Sequence, residues 1–180
     1  AAVGAFGIAL GTMVANLTGS KKGFEKNWKS YSKHAVNGQE IKQKLLQLVD
    51  EDTRAFNGII DAVRMPKSND DEMAARQEAM ISATKHAIEI PYEVMKTAAL
   101  AIPIIAAMVE KGNPNSLSDA AVGGLCLQTA ITGAYYNVKI NLQGLEDVDY
   151  NVLMTAKATA LYTESIGALR EIQKSVEKVL

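Results

Sequence analysis

Apolar side chains recur every three or four residues along nearly the whole chain, and no stretch alternates as a half-buried strand does. Turn and capping residues divide this pattern into segments: Gly19, Met65-Pro66 and the 112–115 loop end helices, and Asn69 caps one. The predicted helices cover residues 1–18, 24–64 (open to an interruption near Asn37-Gly38), 70–111 (kinked or broken at Pro91), 119–142 and 148–180. The pattern therefore predicts one all-α domain, a multihelical array of five or six helices over residues 1–180.

One acidic residue, Asp52, lies near the centre of the apolar stripe of the second predicted helix. The apolar residues that share this face are Ile41, Leu45, Leu48, Val49, Phe56, Ile59, Ile60 and Val63. A carboxylate that faces a core is costly unless it is paired, so Asp52 is a candidate functional residue. The alternative is a structural Asp tied to a neighbouring helix by a Lys, an Arg or a backbone N–H.

The composition changes the expected core more than the expected fold. Hydrophobic residues make up 48% of the chain and aromatic residues only 6%, so small and aliphatic side chains must fill the core. The net charge of −1 gives no electrostatic case for nucleic acid. The lone cysteine, Cys126, excludes an internal disulfide and a multi-Cys metal site, and it fits a reducing, cytoplasmic compartment.

The first eighteen residues carry no charge, but no basic segment precedes them and they are rich in Gly and Ala. We therefore expect a buried central helix here, rather than a signal peptide or a membrane span.

The predicted helix over 119–142 carries two unusual faces. One face is smooth, and consists of Ala120, Gly123, Gly124, Leu127, Ala130, Ile131 and Ala134. It favours close helix packing, with a ligand as the other explanation. On a second face, Asn137 and Asn141 follow Gly133, with Tyr136 beside them. Amides in an apolar helix need partners, and these are either the polar edge of a heterocycle or neighbouring backbone.

A basic segment follows the first predicted helix. It contains Lys21, Lys22, Lys26, Lys29 and Lys33, with three aromatic residues interleaved. A solvated helix face is the usual explanation, while an anionic ligand or a nucleic acid is the alternative. Lys67 follows Pro66 at the end of the second helix and suits the negative end of its dipole. The two histidines, His34 and His86, have no sequence partner that indicates a triad or a metal site.

Several short motifs, in order, resemble the cyclodeaminase/cyclohydrolase proteins of folate metabolism, including the C-terminal domain of formiminotransferase-cyclodeaminase. They are AAVGAFGIALGTMV, GSKKGF, LVDEDTRAF, MPK, the IP pair at Ile90-Pro91, GNPNSLSDAAV and GAYYNVKINL. Members of the family usually carry a short Gly-rich segment before the Ala-rich helix, and the sequence given starts after it.

The resemblance implies an all-α fold with central buried helices, a homodimer or larger assembly, and chemistry on a tetrahydrofolate one-carbon unit. The first expected reaction closes 5-formimidoyltetrahydrofolate to 5,10-methenyltetrahydrofolate with release of ammonia, as in histidine degradation. The alternative is a methenyltetrahydrofolate cyclohydrolase. A formiminotransferase domain or partner is also implied, whereas a metal, a separate cofactor, nucleic acid and a membrane are not.

The resemblance also gives the candidate residues their roles. Asp52 is the first choice for the catalytic carboxylate and Asp119 the second, although a helix start explains Asp119 equally well. Tyr136, Asn137 and Asn141 would bind the substrate. Lys21, Lys22 and Lys67 would lie near the pocket and meet a polyglutamate tail. A non-catalytic helical oligomerisation domain, with salt-bridged carboxylates, is the rival from another class of protein.

Overall fold

The computed structural model describes residues 1–180 and confirms the all-α prediction. It contains six α-helices and two short 3₁₀ turns, at Glu25–Asn27 and Pro114–Ser116. The α-helices are α1 (Ala2–Gly19), α2 (Trp28–Arg64), α3 (Asp70–Ala99), α4 (Ile102–Lys111), α5 (Leu117–Leu142) and α6 (Val148–Glu177). All six fall inside the segments predicted from hydrophobic spacing, apart from Gly19 at the end of α1 and the first residues of α5.

Helix α1 lies between α2 and α5, and α3 packs across the same two helices. Helix α6 covers α5 and α4 from the other side. Glycines allow the central helices to approach closely: a Cβ on Gly7 would lie 2.7 Å from the carbonyl oxygen of Gly123. The expectation of buried, Gly/Ala-rich central helices is therefore correct for the faces of α1 and α5 that meet.

Two prolines affect the helices in ways that the sequence pattern does not predict. Helix α3 runs unbroken through Pro91, where a kink or break was expected. The chain breaks instead at Leu100 and Ala101, because Pro103 fixes the first turn of α4. Helix α2 is also continuous at Gly38, which packs directly against Thr12 of α1.

The caps are partly as predicted. The Asn69 side chain accepts a hydrogen bond from the N–H of Glu72 (2.9 Å) and begins α3. The sequence predicts Ser116 or Ser118 as the cap of α5, but neither caps it with its side chain. The apolar pattern assigns positions 152, 156, 160, 168, 172 and 176 to the inner side of α6. Positions 172 and 176 are buried, whereas the other four are exposed. The buried face of α6 is formed by Met154, Ala158, Ser165, Ile166, Leu169, Ile172 and Val176.

By length and apolarity, Ala2–Gly19 and the stretch Asp70–Lys111 each contain a window that resembles a membrane span. Half of each window is buried against other helices of the chain. Core helices of soluble proteins pass the same test, so this observation is weak support for a membrane span.

Candidate functional site

Two adjoining clefts, together called the Asp52 cleft, open where α1, α2, α3 and α5 meet. The larger has a volume of about 460 Å³ and the smaller about 310 Å³. Asp52, Thr53 and Asn137 line both. The remaining lining comprises Ala1, Ala2, Val3, Val49, Pro91, Val94, Thr129, Ala130, Gly133 and Ala134 in the larger cleft, and Ala55, Phe56, Ile59, Ala87 and Asn141 in the smaller. A polar site with mostly apolar walls is typical of a small-molecule cleft.

Asp52 provides the only charged side chain that lines either cleft. It makes no hydrogen bond and no salt bridge within the chain, so its carboxylate is available to a ligand. The expectation that it faces the core is wrong, because Asp52 is exposed in the single chain.

The apolar stripe of α2 explains this error. The apolar residues of α2 form two parallel stripes rather than one. The residues of the first stripe are buried (Leu45, Leu48, Ala55 and Ala62), and those of the second are exposed (Leu46, Val49, Phe56 and Val63). In helical projection Asp52 lies at the border of the two stripes, above the cleft rather than within the core.

The amides of α5 are brought to the same place as Asp52. Asn137 is exposed at the cleft and makes no hydrogen bond within the chain. Asn141 is half-buried, and its Nδ2 donates to the carbonyl oxygen of Ala87 at 2.8 Å. Tyr136 does not line the cleft, and its side chain is 61% exposed.

The second carboxylate, Asp119, is far from Asp52 within one chain. It lies in the first turn of α5, whereas the cleft is formed by the other end of that helix, from Thr129 to Asn141. At 1.5 Å per residue, Asp119 and Asn137 are separated by about 27 Å along the axis. In a single chain, the helix dipole explains Asp119, because it favours a negative charge in the first turn of α5.

The three candidate lysines are also outside the Asp52 cleft of their own chain. Lys21 and Lys22 follow the C-terminal end of α1, and the cleft contains its first residues, so about 27 Å of helix separates them. The Nζ of Lys21 donates to Asn113 Oδ1 at 2.7 Å, which ties this turn to the loop before α5. Lys67 is exposed in the loop after α2, beyond about 18 Å of helix from Asp52 to Arg64.

The end of α5 is anchored beside the cleft by a polar cluster in the α5–α6 turn. Asp147 caps α6 by accepting from the N–H of Tyr150 (3.0 Å), and its carboxylate pairs with Lys85 of α3 at 2.7 Å. The hydrogen bond from Lys85, followed by that from Tyr150, holds the pKa of Asp147 below its usual range. The cluster ties the α5–α6 turn to α3.

Sequence reasoning missed several residues that line the cleft, among them Pro91, Thr129 and Phe56. A helical signal was present for two of them: Phe56 follows Asp52 by four residues, and Thr129 precedes Gly133 by four. Nothing in the spacing indicated that Pro91 would meet them, because that contact depends on how α3 crosses α5.

An exposed apolar face surrounds the larger cleft. On α1 it consists of Val3, Phe6, Leu10, Met13 and Leu17, with alternating spacings of three and four residues. The exposed stripe of α2 and residues Val122, Leu125, Tyr136 and Ile140 of α5 belong to the same face. Val3, Val49 and Thr129, one from each helix, meet at the cleft, which shows that the stripes lie on one side of the molecule.

The sequence model of the formiminotransferase-cyclodeaminase family matches residues 1–160. The chain belongs to this family. Its members include the formimidoyltransferase-cyclodeaminase of Mus musculus, to which the chain is 31% identical over 147 residues, 82% of its own length. The match to the family confirms the resemblance stated above and places the chain among cyclodeaminase/cyclohydrolase proteins of folate metabolism.

Two further relatives are similar over a larger share of both chains. The methenyltetrahydrofolate cyclohydrolase of Methylorubrum extorquens is 31% identical over 168 residues, which cover 93% of this chain and 80% of the relative. The crystal structure of formiminotetrahydrofolate cyclodeaminase from Thermotoga maritima has a TM-score of 0.86 at 25% identity, and covers 98% of this chain and 84% of that one.

The chain spans only 27% of the mouse relative, so the family assignment concerns the cyclodeaminase-like part of such proteins.

Proposed function

We propose that this chain closes 5-formimidoyltetrahydrofolate to 5,10-methenyltetrahydrofolate and releases ammonia, with Asp52 as the group that moves the proton. The observation that carries the proposal is the unpaired Asp52 carboxylate, the only charged side chain lining a cleft of ligand size. The substrate amidine is cationic, and a carboxylate in an apolar cleft stabilises such a cation electrostatically.

The reaction needs only the substrate and one proton carrier. N10 of the folate attacks the amidine carbon attached to N5, which forms the N10–C bond and a tetrahedral centre. The proton leaves N10 for Asp52, and then passes to the departing nitrogen. The C–N bond breaks, ammonia leaves, and the electron pair of N10 completes the methenyl bridge. Asp52 ends in its starting state, as a general base that becomes a general acid requires. The scheme uses the tetrahydrofolate derivative as substrate and no separate cofactor.

A second copy of the chain would close the Asp52 cleft. The apolar face on α1, α2 and α5 is uncharged at its centre and surrounds the larger cleft, and soluble monomers rarely leave such faces open. Two-fold dimers are the commonest oligomers. Covering this face would exclude water from Asp52 and strengthen its interaction with the cation.

The stripe on α1 favours an antiparallel pair. Val3, Phe6, Leu10, Met13 and Leu17 are nearly symmetric about Leu10, so a two-fold axis there would set Val3 opposite the partner's Leu17. In that arrangement the C-terminal end of the partner's α1 approaches the cleft. The partner's Lys21 and the partner's Lys22 then come near the bound folate, and so does the end of α5 that carries Asp119. The two lysines would meet a polyglutamate tail across the dimer, while Asp119 would be the second carboxylate near the substrate.

The cyclohydrolase reaction is the second candidate. It is supported by the Methylorubrum extorquens relative, which carries that name and matches 93% of this chain. In this case water attacks the methenyl carbon and Asp52 accepts its proton, so the same cleft serves either reaction. A non-catalytic oligomerisation domain is less well supported, because such a domain does not need an open cleft beside an unpaired carboxylate.

The mouse relative is several times longer than this chain, which supports a formiminotransferase domain or partner upstream of this activity. A cytoplasmic location and a role in histidine degradation belong to the same proposal.

One experiment separates the candidates. The protein is incubated with 5-formimidoyltetrahydrofolate and, separately, with 5,10-methenyltetrahydrofolate, while methenyl absorbance and free ammonia are followed. A cyclodeaminase gives methenyl absorbance and ammonia in equal amounts from the first folate. A cyclohydrolase instead accelerates the loss of methenyl absorbance from the second folate and releases no ammonia from the first. A protein that does neither is the helical oligomerisation domain.

A further inference from the structure

Helix α3 contains a proline far from its ends. The backbone carbonyl of residue i−4 normally accepts the N–H of residue i, and proline has no N–H. Pro91 therefore leaves the carbonyl of Ala87 without its usual helical partner. Both residues are buried, so this oxygen cannot be left to bulk water without cost.

Asn141 supplies the missing donor from another helix. Its Nδ2 donates to the carbonyl oxygen of Ala87 at 2.8 Å, from α5 across to α3. A carbonyl oxygen only accepts hydrogen bonds, so the nitrogen of the amide must face Ala87 and the oxygen must face away. The contact thereby determines which end of the amide is which.

The oxygen of this amide is left without a partner at the smaller part of the Asp52 cleft. Asn141 lines that part together with Asp52 and Asn137, and its Oδ1 accepts no hydrogen bond within the chain. The one buried side-chain atom of the chain that lacks a partner is Oδ1 of Asn151. Oδ1 of Asn141, which also has no partner, is therefore accessible to solvent. Asn137, by contrast, has no partner at either end of its amide and can present a donor or an acceptor.

We propose that Asn141 is a positioning and specificity-determining residue, held by the Ala87 carbonyl so that its amide oxygen is available to the substrate as a hydrogen-bond acceptor. With Asp52 it forms a pair of acceptors in one cleft, and such a pair favours a substrate group rich in N–H donors. The cationic amidine of a 5-formimidoyl folate has these donors, whereas the isosteric 5-formyl group ends in an acceptor oxygen. This inference rests on the proposed function for its ligand. The hydrogen bond between Asn141 and Ala87, called the clasp, does not depend on that function.

The clasp is tested first, by melting temperature and without any substrate. Asn141→Ala lowers the melting temperature of the otherwise unchanged protein, because the Ala87 carbonyl loses its donor. In a Pro91→Ala background the N–H of residue 91 satisfies that carbonyl, so the same Asn141→Ala change lowers the melting temperature by less than half as much. Equal losses in both backgrounds would overturn the clasp.

The specificity is tested by equilibrium titration of 5-formimidoyltetrahydrofolate and 5-formyltetrahydrofolate. In Pro91→Ala the Asn141 amide is released from Ala87 and can turn, so the preference for the amidine falls by about threefold to tenfold, the size of one hydrogen bond. In kinetics, the loss falls mainly on KM for 5-formimidoyltetrahydrofolate rather than on kcat, because Asn141 does not carry the proton.

Pro103→Ala is the matched control, because Pro103 lies at the start of α4 and outside the Asp52 cleft. It leaves the ratio of the two affinities unchanged. A ratio that is the same in Pro91→Ala and wild type overturns the specificity role. So does a wild type that does not prefer the amidine, including one that binds neither folate. If ammonia is never released but the preference and its loss are observed, the proposed reaction fails and the role of Asn141 stands.

Discussion

Gly7 and Gly123 bring the backbones of α1 and α5 into direct contact. A Cβ on Gly7 would lie 2.7 Å from the carbonyl oxygen of Gly123 and 2.8 Å from Cβ of Cys126. Backbone atoms cannot move aside as a flexible side chain can, so this crossing is possible only with glycine. The first residues of α1 line the cleft together with α5, so this close contact also sets the width of the larger cleft.

Gly7→Ala is therefore expected to destabilise the protein. The added methyl group forces α1 and α5 apart, and overpacking of this kind costs about 1–3 kcal/mol of unfolding free energy. Gly167→Ala is the control, because nothing lies within 4 Å of its added methyl group. That change raises the stability by about 0.5–1 kcal/mol through helix propensity. Urea unfolding of both variants checks the prediction, and a Gly7→Ala protein as stable as wild type would contradict it.

The apolar face predicts the assembly. Phe6 is 57% exposed in one chain and central to the α1 stripe, so Phe6→Glu places a charge where a second copy is expected to pack. We expect wild type to be a dimer and Phe6→Glu a monomer at micromolar concentration, as measured by light scattering. Val148→Glu is the control, because Val148 is exposed at the start of α6, outside this face. A monomeric wild type would defeat the prediction.

The position of Lys21 and Lys22 after α1 predicts a preference among folates. If the partner's Lys22 meets the glutamate tail, Lys22→Gln binds a polyglutamylated folate less tightly and leaves the affinity for the monoglutamate unchanged. The wild-type preference decreases as salt is added, because exposed charges are screened beyond about 10 Å at 0.1 M. Lys157→Gln serves as the control, since Lys157 is an exposed lysine of α6. If wild type binds both folates with equal affinity at low salt, Lys22 does not contact the tail and is only a solvated charge.

The Lys85–Asp147 pair predicts a pH dependence of stability. The pKa of Asp147 is lowered in the folded state from an ordinary value of 3.8, so the pair stabilises the protein above that pH. The contribution is lost as the pH falls through the lowered pKa, below 3.8. Lys85→Met should therefore lower the melting temperature at pH 7 and reduce its decline under acid conditions. Identical acid profiles for Lys85→Met and wild type would rule out this contribution.

The helices could be predicted from the sequence because their apolar positions, caps and breakers are local properties. Asn69 and Met65-Pro66 end or begin elements where the pattern indicates. Pro91 could not be assigned in the same way, because the donor that replaces its missing hydrogen bond is Asn141, fifty residues later in sequence.

The site was predicted in position but not in environment. Asp52, Asn137 and Asn141 do meet, because helical spacing places each on the correct face. The exposure of Asp52 could not be predicted, since the buried stripe and the exposed stripe of α2 consist of the same residue types. Asp119 and Lys21 were assigned to the cleft on the family resemblance, yet α1 and α5 run antiparallel and place both residues at the opposite end.

Asp52→Asn is the decisive substitution for the proposed function. The amide keeps the size of the side chain but removes the negative charge and the ability to accept the proton from N10. Loss of such a group typically lowers turnover by about 10²- to 10⁴-fold. Because Asp52 has no hydrogen bond or ion pair to lose, the melting temperature is expected to stay close to that of wild type.

Asp50→Asn is the control, because Asp50 is an exposed carboxylate on the same helix and outside both clefts, and it is expected to change neither quantity. Turnover and melting temperature are measured on the same preparation of each variant. An Asp52→Asn protein with wild-type turnover would remove Asp52 from the reaction. One that unfolds at a much lower temperature, with normal turnover per folded molecule, would make Asp52 a structural residue.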